Sequence, residues 1–146
     1  MKNLSSNKKT IFFVSPFING FIKNDLNILS EKYNIIPNIY KWGMVKKTPL
    51  YLIHQFFFLC FEIKNIDKIF IEFGGYWSLL PSLFGKIFNK PTIIVCHGTD
   101  CASIPSLNYG IFRKKYLKTF CKYSYKLADL ICPVSESLIS VGNTFL

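Results

Sequence analysis

The segment IIVCHGTDCASIPS, residues 93–106, starts as an apolar run and breaks into His97, Gly98, Thr99, Asp100 and Cys101. An imidazole and a carboxylate three residues apart at the end of a hydrophobic element are suited to acid–base or hydrogen-bonding chemistry. The only other histidine, His54, lies inside the apolar stretch PLYLIHQFFFLCFEI, where a structural role is expected, so His97 is the candidate catalytic group. The plainer reading of His97 is a strand-end histidine bonded to a neighbouring carbonyl. Several other chemistries are not written in the chain: no GxGxxG follows the first apolar run, and there is no Walker-type lysine loop and no GxSxG elbow. Five cysteines, at 60, 96, 101, 121 and 132, form no CxxC pair and no metal-finger spacing, and an odd number does not close fully into disulfides. No metal and no other cofactor is expected, and reduced thiols point to a cytoplasmic location.

The elements that must carry these residues are short apolar runs separated by helix-like segments. Runs at 10–17, 34–42, 68–73, 91–97 and 129–135 are rich in Ile, Val and Phe and lack polar alternation. Strands apolar on both sides belong in a covered parallel sheet. Between them, Ile22, Leu26, Leu29 and Tyr33 recur at helical spacing, with Asn34 as a stop. A second helix is expected with Thr48 as N-cap and Pro49 at its first position. A third, over 77–89, would bury Leu80, Phe84, Ile87 and Phe88, with Pro81 tolerated in its first turn. A fourth, over 111–128, would bury Phe112, Tyr116, Phe120, Tyr123 and Leu127, and a last helix would start near Glu136. The alternation predicts one α/β domain over residues 1–146: an open, mostly parallel Rossmann-like sheet of about five strands with helices on both faces.

In such a sheet, ligands bind beyond the carboxyl ends of the strands. The residues falling there are Asn19 and Gly20, then Lys41, Trp42 and Gly43, then Gly74, Gly75 and Tyr76, then His97, Gly98 and Asp100, and finally Ser135 and Glu136. Glycines at 20, 74, 75 and 98 would permit positive φ and close approach of a ligand. A helix starting at Gly20 would offer free N–H groups to an anion. Glycines and polar residues also end strands in any α/β protein.

The net charge is +10, from 18 Lys and Arg against 8 acidic residues. That balance favours anionic partners. Only one of the 18 is arginine, the usual reader of base edges, and no nucleic-acid-binding motif is present, so nucleic acid is not an expected partner. Lys114, Lys118, Lys122 and Lys126 recur at intervals of four without acidic compensation. The stripe is either a solvated face or a surface for an anionic membrane or an acceptor. The first twenty residues place lysines ahead of an apolar run, but the run is short and contains Pro16, so a signal peptide is not expected. PLYLIHQFFFLCFEI is broken by His54 and Gln55 and is shorter than the ~18–20 residues of a membrane span, which leaves a buried or surface-inserted helix.

KPTIIVCHGTD, a basic helix and then KLADLICPVSESLI together resemble the amino-terminal half of GT-B fold glycosyltransferases of the family 4 type. IFFVSPFINGF is similar to that family's first strand and glycine loop, with Asn19-Gly20 in place of its paired glycines. The resemblance spans essentially the whole chain. It implies transfer of a sugar from a nucleotide-sugar donor to a glycan or lipid-linked acceptor. His97 would then lie near the transferred sugar and Gly20 near the donor phosphates, with Asp100 on a sugar hydroxyl and Ser135 on the cleft floor. The family's donor-binding domain, with its Glu-x7-Glu motif, has no counterpart in these 146 residues, so the chain alone is expected to be inactive and to need that domain or a partner subunit. Two alternatives stand beside this reading: a non-enzymatic, flavodoxin-like module for phosphate or nucleotide, and a membrane-docking subunit of a split enzyme, peripheral on the cytoplasmic membrane.

Overall fold

The computed structural model describes residues 8–136 and residue 138. Five strands, β1 (Thr10–Ser15), β2 (Asn34–Ile39), β3 (Lys68–Glu72), β4 (Thr92–Cys96) and β5 (Leu130–Pro133), form one all-parallel sheet in the order β2-β1-β3-β4-β5. Each lies within one of the five apolar runs. Parallel neighbours require a crossover, and four helices supply it: α1 (Gly20–Lys32), α2 (Thr48–Glu62), α3 (Tyr76–Ile87) and α4 (Lys115–Leu127). The chain forms a Rossmann-like α/β domain.

Alternation along β1 shows why the runs must be apolar throughout. Ile11 and Phe13 pack with Ile22, Leu26 and Leu29 of α1 on one face of the sheet. Phe12 and Val14 pack on the other face with Leu59 of α2, Phe84 of α3 and Cys121 and Tyr125 of α4.

Several helix expectations need correction. Thr48 is the first residue of α2 and not its cap; Lys47 occupies the cap position without a side-chain bond, and the buried Thr48 hydroxyl has no partner. Pro81 is the sixth residue of α3, beyond the first turn. A proline there removes the hydrogen bond that would reach the carbonyl of Trp77. The fully buried Gln55 of α2 replaces it, donating from Nε2 to the Trp77 carbonyl at 3.1 Å and to Asn38 Oδ1 at 2.9 Å. Gln55→Leu is therefore expected to lower unfolding free energy by about 1–3 kcal/mol, since two buried acceptors lose their donor. Adding Pro81→Ala should recover part of that loss by restoring a backbone N–H, which urea melts of the single and double variants would measure.

Ile87 and Phe88, expected inside, are exposed. The fourth helix starts only at Lys115, after a 3-10 turn over Ile111–Arg113, and Tyr116, at 78 % exposure, and Tyr123 face outward. Its buried side is Cys121, Ser124 and Tyr125. The reason is the contact with α3: Ser78 Oγ donates to Ser124 Oγ at 2.8 Å, so small residues meet at the middle of the helix pair, and the ring that packs across it, Phe120 against Tyr76, lies nearer its end. The expected last helix lies, apart from Glu136 and Leu138, outside the described residues.

A candidate active site at the carboxyl end of the sheet

The chain leaves β1 toward β2 on one side and reaches β3 on the other, so the crevice between helices opens beyond the carboxyl ends of β1 and β3. A cleft of ≈ 750 Å³ lies there, within the range of small-molecule sites. Its walls come from the segments after four strands: Phe17 and Phe21, then Trp42 and Gly43, then Phe73, Gly74, Tyr76 and Trp77, then His97, Thr99 and Asp100, with Lys114 and Leu117 closing one side.

His97 owes its place to strand register. Glu72 at the end of β3 pairs with Val95 of β4, and His97 lies two residues further along, on the same face as Val95. The two side chains meet: His97 Nε2 is 2.6 Å from Glu72 Oε2. Glu72 is 1 % exposed and the His97 side chain 15 %. The carboxylate fixes the ring and commits one nitrogen to it, while Nδ1 bonds to no described residue. A histidine lining a cleft, with one nitrogen held by a buried carboxylate, is set up to take a proton or hold a hydroxyl with the other.

The ring is also held face-on. Phe73 stacks on it with centroids 4.0 Å apart, and Phe21 of α1 approaches within 5.2 Å. Phe73 reaches it through an unusual backbone. Continued alternation would send Phe73 to the side of Ile69 and Ile71, but its φ of 62° turns the side chain into the α1-side cluster. A bulky residue in the left-handed region is strained. Three hydrogen bonds hold the turn: Phe73 N–H donates to the Val95 carbonyl at 3.1 Å, Trp77 Nε1 donates to the Phe73 carbonyl at 2.8 Å, and Gly74 N–H donates to Asp100 Oδ2 at 2.9 Å.

Asp100, where a sugar contact was expected, lines the cleft and braces its rim. It is 1 % exposed, and both oxygens are engaged. Oδ1 accepts from His97 N–H at 2.9 Å; Oδ2 accepts from Gly74 N–H and from the Tyr125 hydroxyl at 3.0 Å. The carboxylate ties the β3–α3 turn to the β4 turn and to α4. Gly74 is required by close approach, since a Cβ there would collide with the Tyr125 hydroxyl.

Of the other expected site residues, Tyr76 lines the cleft and packs edge-on against Phe120. Gly98 has a φ of 99°, whereas Gly20, Gly74 and Gly75 do not use the left-handed region. Asn19 caps α1, its Oδ1 accepting from Ile22 N–H at 3.1 Å, and a Cβ on Gly20 would meet nothing. Gly75 is covered by the Trp77 ring, and Ser135 is exposed beyond β5; neither lines the cleft. Lys114 reaches the cleft wall, while Lys118, Lys122 and Lys126 continue along the exposed side of α4. His54 is exposed, its Nδ1 2.6 Å from the Tyr40 hydroxyl. The expectations missed Glu72. The signal was present, for Glu72 is the only acidic residue in any of the five strands.

Three acidic groups beneath the rim are held protonated. A hydrogen bond with the Cys101 side chain, then burial, pushes the Cys96 thiol far up. Burial, then the nearby Asp100 charge, raises both Cys121 and the Tyr125 phenol. Unfolded thiols lose their protons near pH 9, so above that pH the unfolded chain binds fewer protons than the folded one. For the two thiols the resulting stability is complete below about pH 9 and is lost as pH rises, at about 1.4 kcal/mol per pH unit for each, with Tyr125 adding its share only above about pH 10. Thermal melts from pH 7 to 10 should show this fall. At neutral pH a thiol reagent should modify exposed Cys60 rapidly and Cys96 and Cys121 only on unfolding.

No family model matches the chain, and no curated protein matches it.

Proposed function

We propose that the domain is the acceptor-side half of a glycosyltransferase that moves a sugar from a nucleotide-sugar donor to a glycan or lipid-linked acceptor. The observation that carries this reading is the His97–Glu72 pair at 2.6 Å in the wall of an aromatic cleft at the sheet's carboxyl end. Tyr76, Trp77 and Phe17 offer flat faces for the C–H face of a sugar. Nδ1 of His97 offers a polar contact to a hydroxyl. In the transfer, the acceptor oxygen attacks the anomeric carbon. The bond from that carbon to the diphosphate oxygen breaks, the diphosphate departs with the electron pair, and the acceptor proton goes to a base. His97 Nδ1, with Nε2 engaged by Glu72, serves as that base or positions the hydroxyl.

Departing diphosphate must also be stabilised, the dominant electrostatic task in such a reaction. Among the described residues lining the cleft only Lys114 is a permanent cation, so the rest must come from a second domain or subunit. The purified chain is expected to show no turnover with nucleotide-sugars and to bind UDP, FMN and sugar phosphates weakly. Transfer is expected once a donor-binding domain is supplied. Tight binding of FMN or of a nucleotide by the chain alone would instead identify a flavodoxin-like binding module, and rapid transfer by the chain alone would refute the division of labour.

A further inference from the structure

The α2–α3 flank carries a surface that the cleft does not use. Leu50, Ile53, Phe57 and Phe61 recur along one side of α2, and all four are more than half exposed. The stripe extends onto α3 through a chain of ring contacts: Phe57 to Phe56 at 5.6 Å, Phe56 to Phe84 at 5.8 Å and Phe84 to Phe88 at 5.7 Å. Ile87 and Phe88 continue it in the open. A contiguous exposed apolar face of this kind marks an interaction site. α2 starts after β2 at the cleft rim and ends before the start of β3, so Phe61, Ile87 and Phe88 lie toward the opposite end of the sheet from the cleft. A domain closing over the cleft does not cover them.

The charges around the patch select its occupant. Lys46 and Lys47 precede α2, Lys64 follows it, and Lys86 and Lys90 flank the end of α3. The only acid on α2 or α3 is Glu62, whose Oε2 accepts from Asn65 Nδ2 at 2.9 Å. A second copy docked on this face would set five lysines against five, whereas an anionic lipid surface complements them. At 15 residues, or about 22 Å, α2 is too short to cross a membrane, and no helix among the described residues is long and apolar enough to do so. We propose that α2 and the end of α3 form an in-plane docking face for an anionic bilayer, with Leu50, Ile53, Phe57, Phe61 and Phe88 entering the acyl boundary beneath a rim of lysines. Of the two surfaces expected from sequence, the apolar segment that forms α2 and the lysine stripe of α4, this places docking on the first, extended by the end of α3.

The chain supplies its own reporter, because Cys60 lies exposed on the α2 flank. Full-length Cys132→Ser protein labelled at Cys60 with an environment-sensitive dye should shift to the blue with phosphatidylcholine vesicles containing phosphatidylglycerol. Phosphatidylcholine alone should give little shift, and added salt should reduce the effect. In co-sedimentation, Phe57→Ser with Phe61→Ser should weaken partitioning at least about tenfold, and Lys64→Glu or Lys86→Glu about fivefold each. These positions are exposed, so circular dichroism should be unchanged; the dye on the otherwise unaltered surface reads insertion even if a variant misfolds. No shift and no sedimentation would overturn the proposal. So would binding lost through Lys118→Glu with Lys122→Glu but kept by the phenylalanine variant, or a solution dimer dissolved by that variant without vesicle binding. No sugar donor enters the assay, so its outcome is separate from that of the transfer reading.

Discussion

Replacing His97 with phenylalanine is expected to cost about 3–5 kcal/mol of folding stability, because it strands the Glu72 carboxylate in a site that is 1 % exposed. The same change should lower sugar transfer, measured with a donor-binding domain supplied, by about 10²–10⁴-fold if His97 acts as base. The two effects separate in the double variant. Glu72→Leu with His97→Phe removes both polar partners from the site, so most of the stability should return while transfer stays lost. Glu72→Gln keeps the shape and an acceptor for Nε2–H; it should be nearly neutral for stability and act on the rate rather than on KM. If urea melts of His97→Phe match the parent within about 0.5 kcal/mol, the pair does not hold the rim and the site assignment fails with it.

Asp100→Asn is expected to cost about 2–4 kcal/mol. The carboxylate takes hydrogen bonds from His97 N–H, Gly74 N–H and the Tyr125 hydroxyl, and an amide offers one acceptor oxygen where two are required. Bonds to a charged acceptor are the stronger kind, at about 1.5–3 kcal/mol each. Tyr125→Phe should cost less, about 1 kcal/mol, since Oδ2 keeps the Gly74 N–H. The order of the two variants is the test. Loosening the brace should also release Phe73 from its left-handed turn and alter the near-ultraviolet circular dichroism of Trp77, whose Nε1 donates to the Phe73 carbonyl. A Tyr125 variant costlier than the Asp100 variant would mean that α4 packing, and not the carboxylate, holds the rim.

The fold was legible in the sequence because a covered parallel strand needs apolar residues on both faces. TIFFVS and TIIVC carry that requirement in their composition, and each strand fell inside its run. Helix faces were less legible. Aromatic spacing in α4 pointed to Tyr116 and Tyr123, but the buried side of the helix is Cys121, Ser124 and Tyr125, and it meets α3 through a serine pair, Ser78 with Ser124, whose value lies in being small. Proline chemistry was half legible: Pro81 was plain to see, while the side chain that repairs its missing bond comes from 26 residues earlier, on another helix.

For the site, the sequence by itself determined the rim. His97, Asp100 and Tyr76 were placed there because the ends of parallel strands are where loops must gather, and all three line the cleft. Tertiary structure alone decided their partners. Glu72 meets His97 only because β3 and β4 lie side by side in a register that pairs Glu72 with Val95. Asp100 became a brace because the neighbouring turn aims the Gly74 N–H, and α4 the Tyr125 hydroxyl, at its carboxylate. A residue's type announces what it is able to bond. Which group satisfies it depends on segments 25 or 26 residues away in sequence, and only folding brings those within hydrogen-bonding distance.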